Sequence, residues 1–209
     1  QAQLPKDVEQ ACDCVIRAMG PKLEVTQDYG LAPFFYMPQS EWIGRYAIAD
    51  FASGMRANYE LTQRYTAEFS IRPFVIEHEA ACLRMLNTWC QDPNPHVRRL
   101  VSEGTRSRLP WAVRLKNIQV KPALSLPLLE QLKDDPELYV RRSVANHLGD
   151  IAKDHLELVL TTCNRWLEES HAMEDPQAAK KRRWIIRHAL RYPAKKGNQS
   201  ALNIRLAAK

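Results

Sequence analysis

The sequence contains two similar segments, DPNPHVRR at residues 92–99 and DPELYVRR at residues 135–142, which are offset by 43 residues. This offset lies in the ~40–47-residue period of HEAT-type repeats, each of which is a pair of helices. We interpret the Asp of each copy as an N-cap and the Pro as the first helical residue. A weaker third copy begins at Asp175-Pro176 and continues to RRWIIRH at residues 182–188. These copies predict an all-α, HEAT-like solenoid of stacked helix pairs.

The segments between the copies have the pattern of partner helices. Apolar residues recur at helical intervals over residues 154–167, and residues 79–89 and 123–133 occupy the equivalent place before the other two copies. Such a stripe has to be buried against a neighbouring helix. Upstream of the repeats, residues 40–43 and 59–69 also look helical.

Length and charge set the expected organisation and partner. A chain of 209 residues fits one short solenoid. We therefore expect a single HEAT-like domain over residues 1–209, in which residues 1–40 are an N-terminal helical part outside the visible repeat. Thirty Lys and Arg against 24 Asp and Glu give a net charge of +6, which favours a polyanionic partner.

Cysteine usage and hydropathy indicate a protein of a reducing, cytoplasmic compartment. The five cysteines include no C-x-x-C pair, so the sequence predicts neither a disulfide framework nor a metal site, and a site at Cys12 and Cys14 is a remote alternative. The N-terminal residues lack the features of a secretory signal, and no window approaches the ~18 apolar residues of a membrane span. We expect no cofactor, no membrane contact and a monomer.

A helical wheel predicts which residues of the repeated helices are exposed. Arg142 falls nearly opposite the apolar side of its helix, which consists of Val140, Val144, His147, Leu148 and Ile151. In the Val97 helix the equivalent outward positions are Arg99 and Glu103. Since the second helices of HEAT pairs line the concave side of a solenoid, Arg99 and Arg142 are expected to face one basic groove. Ion pairs within the stack are the alternative role of these arginines.

Residues 89–154 resemble the AlkC-type bacterial DNA alkylation repair glycosylases, which are relatives of AlkD. The most specific motif is SEGTRSRLPW at residues 102–111, and the similarity extends upstream to EFSIRPF at residues 68–74 and downstream to WIIRHALR at residues 184–191. The resemblance covers most of residues 40–200. It implies a curved HEAT-like solenoid that holds bent duplex DNA. It also implies hydrolysis of the N-glycosidic bond of cationic alkylated bases, such as 3-methyladenine and 3-methylcytosine, at the start of base excision repair.

The resemblance also implies the site residues. Glu68, Glu103 and Asp150 would be the catalytic carboxylates, Trp111 would contact the lesion nucleotide, and Arg99 would hold a backbone phosphate. Phe69 is a second candidate for contacting the lesion, because it can fill the space that opens when DNA bends. The predicted DNA-binding residues are Arg98, Arg99, Arg106, Arg108, Arg142, Arg187, Lys195 and Lys196.

These residue types suit the chemistry. A base that already carries a positive charge leaves readily, so the enzyme has to stabilise the sugar oxocarbenium ion and position water. One carboxylate about 4 Å from a unit positive charge contributes roughly 4 kcal/mol at an effective dielectric constant of about 20. Each residue also has a structural interpretation: a surface position for Glu68, ion pairs for Glu103 and Asp150, and a core position for Trp111 or Phe69.

Two other functions fit the same fold. A catalytically silent HEAT-like protein would bind damaged or branched DNA without cleaving it, and a protein scaffold would not need the arginines. Many AlkC relatives carry an immunoglobulin-like module after the solenoid. After the solenoid, this sequence contains only the few residues from Asn203 to Lys209, which are too short for such a module, so we expect none within it.

Overall fold

The structure is a computed structural model that describes residues 3–26 and 30–209. Over these residues the chain forms helices and no strands. The α-helices are α1 (Val8–Arg17), α2 (Met37–Tyr46), α3 (Phe51–Thr62), α4 (Ile71–Glu77), α5 (Glu79–Trp89), α6 (Pro95–Gly104), α7 (Lys116–Val120), α8 (Leu126–Leu132), α9 (Leu138–Ile151), α10 (Leu156–His171), α11 (Pro176–Ala189), α12 (Arg191–Lys195) and α13 (Gln199–Ala207). Short 3₁₀ turns occupy Ala32–Tyr36, Ala47–Ala49 and Pro122–Leu124.

The helices stack as pairs. Helix α5 packs on α6, α8 on α9 and α10 on α11, while α3, α6, α9 and α11 pack on one another in that order to form one layer. A single hydrophobic cluster runs through the stack from Cys12 to Ala208. The predicted all-α, HEAT-like solenoid is therefore confirmed, and the layer of α6, α9 and α11 contains the second helix of each repeat.

Two of the predicted helix starts are wrong by two residues. Asn94, rather than Asp92, is the N-cap of α6, and Pro95 is its first residue. The side chains of Asp92 and Asp135 instead close a turn ahead of the helix, because each accepts a hydrogen bond from the N–H two residues later, at 2.8 and 2.9 Å. Helix α9 accordingly begins only after Glu137. The third copy, at α11, starts as predicted, with its aspartate as N-cap.

The first arginine of each repeated segment holds the loop before its own helix. Arg98 donates to the carbonyls of residues 92 and 93 at 2.8 and 3.0 Å, and Arg141 donates to those of residues 135 and 136 at 2.6 and 2.7 Å. Arg98 also binds the carboxylate of Asp135 in the next repeat, with bonds of 2.6 and 3.1 Å. These contacts assign Arg98 to the junction between repeats and argue against its predicted role in DNA binding.

The other helix predictions hold with one exception. Residues 79–89 form α5, the 123–133 segment contains α8, and the 154–167 segment lies mainly in α10, each with most of its apolar stripe buried. Residues 40–43 lie within α2. The predicted helix over 59–69 is wrong, because α3 ends at Thr62 and the chain continues as a turn that carries Glu68.

The structure shows the state of the cysteines, the arrangement of potential metal ligands and the hydropathy of the helices over residues 3–26 and 30–209. All five cysteines are free thiols. No cluster of three or more potential metal ligands occurs in this part of the chain. None of its helices is both long and apolar enough to cross a bilayer.

A substitution of Gly54 tests the close approach of α3 to α4. A Cβ atom at position 54 would lie 2.4 Å from two ring carbons of Phe74 and 2.6 Å from the carbonyl oxygen of Ala47. We expect Gly54→Ala to lower the free energy of unfolding by about 1–3 kcal/mol in urea denaturation, because the ring and backbone must move. The matched control is Gly149→Ala, whose Cβ would meet only the Ala189 carbonyl at 3.4 Å. A Gly54→Ala protein as stable as the control would contradict this packing.

The burial of His147 in α9 can be tested through the pH dependence of the free energy of unfolding. Burial lowers the pKa of His147 to about 4, and Nδ1 lies 2.9 Å from the Ser102 carbonyl oxygen. The unfolded chain takes up this proton below about pH 6.5, whereas the folded chain takes it up only near pH 4. The His147 contribution to stability is therefore complete above pH 6.5 and lost as the pH falls towards 4.

The measurement is urea denaturation between pH 7 and pH 4.5. We expect His147→Gln to be less stable than wild type at pH 7 and to lose less stability on acidification. His171→Gln, at an exposed position, is the control. Parallel pH profiles for wild type and His147→Gln would show that His147 does not titrate in this way.

Candidate active site

Acidic and basic side chains alternate along one continuous path through the site. Arg99 Nη1 lies 2.6 Å from Glu68 Oε2, and Arg99 Nη2 lies 3.5 Å from Glu103 Oε1. Arg106 continues the path, with Nη1 2.6 Å from Glu103 Oε1 and Nε 2.7 Å from Asp150 Oδ2. Lys153 ends it at 2.8 Å from Asp150 Oδ1. We call these residues the charge network: Glu68, Arg99, Glu103, Arg106, Asp150 and Lys153.

The network brings together the three carboxylates that the resemblance implied, although they come from three separate elements. Glu68 lies in the turn after α3, where the Thr66 hydroxyl donates to its carboxylate at 3.0 Å. Glu103 is in the last turn of α6, and Asp150 is in the last turn of α9. The direct packing of α6 on α9 places the latter two on either side of Arg106.

Glu103 is buried, so its predicted outward position is wrong. Only 5% of its surface is exposed, because α9 packs against that side of α6 and the Ser143 hydroxyl donates to Glu103 Oε2 at 2.5 Å. Burial by itself would raise the pKa of Glu103. The charges of Arg99 and Arg106 and the hydrogen bonds from Ser143 and Arg106 outweigh it, so that the pKa lies below its usual value. Glu103 is therefore a carboxylate at neutral pH.

Arg99 is fixed on several sides. Its guanidinium lies 5.3 Å from the centre of the Tyr139 ring, and Nη1 donates to the Thr66 hydroxyl at 2.9 Å. Burial would lower the pKa of Arg99, but Glu103, Tyr139 and Glu68 together raise it above its usual value. Arg99 therefore keeps its charge next to the two carboxylates.

Trp111 is on the surface, which excludes its interpretation as a core residue. Its exposed fraction is 99%, and its backbone φ of 62° is the one positive φ of a residue other than glycine over residues 3–26 and 30–209. A bulky residue rarely adopts this left-handed conformation, and such outliers cluster at functional sites. We call residues 105–114, which carry Trp111, the tryptophan loop.

Two of the predicted DNA-binding arginines anchor the tryptophan loop. Arg106 bridges Glu103 and Asp150 within the charge network. Arg108 binds both oxygens of Asp154 beyond the end of α9, at 2.8 and 2.6 Å. On the N-terminal side of its tryptophan, the loop is thus attached to the end of α9.

The remaining basic candidates differ in how far they are engaged within the chain. Arg187 donates to the carbonyl of Ala208, so it supports the C-terminal helix. Arg142, Lys195 and Lys196 are exposed, which confirms the outward position predicted for Arg142, and none of them forms an ion pair with a residue that the structure describes.

Arg191 joins this group and was missed by the sequence analysis. It is exposed and donates to the Asn146 side chain, at 3.2 Å, on the same layer of helices. Its sequence signal is weak, since it is one more arginine in a basic C-terminal part of the chain.

Four of the predicted site residues line one cleft. The cleft has a volume of about 790 Å³, and Glu68, Phe69, Arg99 and Trp111 contribute to its wall. Glu103 and Asp150 are not among the lining residues; both are buried and both bind Arg106. Another part of the wall is apolar and comes from the segment before α2, in which the Phe34 ring lies 5.7 Å from the Tyr65 ring. That wall was not predicted, because residues 31–37 belong to no repeat.

Comparisons with known proteins identify two relatives with similar sequences, one of them with a solved structure. It is similar to a solved structure of the Pseudomonas fluorescens alkylpurine DNA glycosylase AlkC bound to DNA containing an abasic site analog, with a TM-score of 0.76 and 37% identity. This match covers 97% of the chain and 51% of AlkC. The chain is also 38% identical over 162 residues to the YhaZ protein of Bacillus subtilis strain 168, which covers 78% of the chain and 43% of YhaZ.

The similarity has defined limits. No protein-family model matches the chain. The chain spans about half the length of the two relatives. Over nearly all of its own length it nevertheless shares both fold and sequence with AlkC, so the resemblance to AlkC-type proteins that the motifs predicted is confirmed.

Proposed function

We propose that the chain is a DNA glycosylase that hydrolyses the N-glycosidic bond of cationic alkylated bases, 3-methyladenine and 3-methylcytosine among them, in duplex DNA. The observation that carries this proposal is the cleft in which Glu68, Arg99 and the exposed Trp111 meet. It combines a carboxylate, a guanidinium and a fully exposed indole. These groups can stabilise a cationic sugar, bind a phosphate and stack on a damaged base, in that order. The similarity to a glycosylase bound to DNA points in the same direction.

The reaction requires stabilisation of the sugar more than acid catalysis. When the bond from C1′ to the base nitrogen breaks, its electron pair stays with the cationic base, which leaves as a neutral molecule. The positive charge passes to the sugar as an oxocarbenium ion, and water adds to C1′ and loses a proton. We assign Glu68, the carboxylate on the cleft wall, to facing this charge and accepting the proton.

The charge network explains how three carboxylates can lie in a site that binds DNA phosphates. Three carboxylates alternate with three cations, so the site does not present a net negative charge to the phosphates. An arginine can exchange a carboxylate for a phosphate, since both accept its paired N–H groups in the same way. We propose that Arg99 makes this exchange when DNA binds, which frees Glu68 for the developing positive charge, while Glu103 stays bound to Arg106 and adds its charge from a distance. Asp150 would keep Arg106 in place during the exchange.

Exposed aromatic and basic residues account for the rest of the binding. Trp111 offers a ring face to a cationic nucleotide, an interaction of roughly 0.5–2 kcal/mol. Arg142, Lys195 and Lys196 are the exposed candidates for backbone phosphates, and Arg191 joins them. Arg98, Arg108 and Arg187 are instead assigned to intramolecular contacts.

The carboxylates are tested by base release. A chemically methylated duplex is incubated with excess protein, and the released bases are separated by chromatography. We expect wild type to release 3-methyladenine, and Glu68→Gln, Glu103→Gln and Asp150→Asn to slow release at least tenfold because each removes a negative charge from the network. Binding to the intact duplex should persist in all three variants.

Glu157→Gln, at an exposed position of α10, is the matched control and should release bases at the wild-type rate. A wild-type protein that binds methylated duplex and releases no base would establish the silent DNA-binding protein instead. Wild-type rates in all three network variants would remove these carboxylates from the reaction.

Trp111 is tested by truncation. We expect Trp111→Ala to lower the rate of release by roughly 2- to 30-fold, which is the cation–π range at ~1.4 kcal/mol per factor of ten. Its free energy of unfolding should stay within about 0.5 kcal/mol of wild type, because the removed side chain is almost fully exposed. Val113→Ala, at an exposed position of the same loop, should change neither quantity. Equal rates for both variants would exclude contact between Trp111 and the nucleotide.

A further inference from the structure

We propose that Arg72 is a positioning residue that fixes the tryptophan loop so that Trp111 stays on the wall of the cleft. This inference rests on the proposed function for its catalytic consequence. Its structural part, the fixing of the loop, stands independently of any activity.

Arg72 closes the tryptophan loop from within. Its Nε donates to the Val113 carbonyl at 2.6 Å, after Trp111, and its Nη1 donates to the carbonyls of Gly104 and Arg106 at 3.2 and 2.9 Å, before it. One planar guanidinium therefore spans both ends of the loop. The backbone N–H groups of Arg106, Ala112 and Leu115 add longer bonds there, of 3.2, 3.3 and 3.3 Å, to the carbonyls of residues 103, 109 and 107.

The burial of Arg72 shows that these bonds come at an energetic cost. The residue is 1% exposed, its Nη2 has no hydrogen-bond partner in the part of the chain that is described, and it forms no ion pair there. Burial and the nearby charge of Arg106 lower the pKa of Arg72 to about 10. A buried cation without a paired carboxylate is destabilising. A methionine or leucine would fill a core position at lower cost, so stability alone does not account for an arginine here.

The loop needs such support because Trp111 has none of its own. A side chain that is 99% exposed gains little from packing, and a positive φ at tryptophan is strained. The direction of the indole is therefore set by the backbone on either side of it. Release of that backbone would let position 111 relax to an ordinary conformation and take the ring away from the cleft.

Arg72 also connects Trp111 to Glu68. Helix α4 begins at Ile71, directly after the turn that carries Glu68 and Phe69, and Arg72 is its second residue. The same side chain lies on the wall of a smaller cleft of about 300 Å³ that Phe69 and Trp111 also line. The distance between the carboxylate and the indole thus depends on one short helix and one guanidinium.

A double-mutant cycle separates positioning from a general structural role. Arg72→Lys keeps the charge but loses the planar set of donors that reaches three carbonyls. We expect Arg72→Lys to slow base release from methylated duplex about tenfold in the wild-type background, and less than twofold when Trp111 is already alanine. Equal factors in the two backgrounds would overturn the proposal, because Arg72 would then act independently of Trp111.

Limited proteolysis tests the loop without reference to activity. Trypsin can cut the tryptophan loop after Arg106, Arg108 and Arg114. We expect Arg72→Lys to be cut there at least ten times faster than wild type, at temperatures where both proteins remain folded by circular dichroism. Arg84→Lys, at an exposed position of α5, is the control and should be cut at the wild-type rate. Unchanged cleavage in Arg72→Lys would overturn the fixing of the loop.

The two measurements distinguish the possible failures. A wild-type protein that releases no base defeats the proposed function, while tryptic cleavage still decides whether Arg72 fixes the loop. Arg72→Gln, which is uncharged and retains two N–H donors, replaces the lysine variant in both measurements if that variant does not fold.

Discussion

A buried carboxylate requires a cation, and most of the site follows from how this chain meets that requirement. Removing one partner of a buried ion pair costs several kcal/mol, because the other charge is left without compensation. Glu103 and Asp150 are both buried, and Arg106 lies between them with bonds of 2.6 and 2.7 Å. Arg106 belongs to the tryptophan loop, so neutralising these carboxylates also attaches the loop to α6 and α9. The position of Trp111 is in this way tied to the stacking of two repeats.

The arginines of the repeated segments divide between two tasks. The first arginine, at position 98 or 141, points back to the carbonyls before its helix and closes the stack. The second differs between the copies, since Arg99 binds Glu68 within the charge network and Arg142 is exposed. The first arginines therefore hold the solenoid together and are not free on its surface.

Helix positions could be predicted from sequence where the signal is local. Apolar spacing identified α10, which buries one stripe against its neighbours, and the equivalent place before a repeated segment identified α5. The start of α6 was misplaced because Asp92 and Asn94 are both good caps, and only the structure shows that the first closes a turn while the second caps the helix. The burial of Glu103 could not be read from a wheel, which describes one helix without the α9 surface that covers it.

The site was predictable for its carboxylates and its tryptophan, which lie in distinctive motifs, and unpredictable for the residues that support them. Arg72 sits in EFSIRPF, where nothing local distinguishes a buried arginine from an exposed one. Its partners are three backbone carbonyls more than 30 residues away. Since every residue has such a carbonyl, the sequence does not show which ones it binds. The apolar wall around Phe34 could not be predicted either, because only the fold brings it to the cleft that Trp111 also lines.

Two unfavourable features, the conformation of Trp111 and the burial of Arg72, are both found at the tryptophan loop, and their proximity argues for a functional role. An indole held in water at a positive φ and a guanidinium buried without a carboxylate each lower the stability of the free protein. Proteins depart from locally favourable choices mainly at functional sites, where a partner restores what the free state lacks. A nucleotide against Trp111 would cover the exposed ring, whereas Arg72 touches only the chain itself. The first feature is therefore directed at a ligand, and the second exists to hold the first in place.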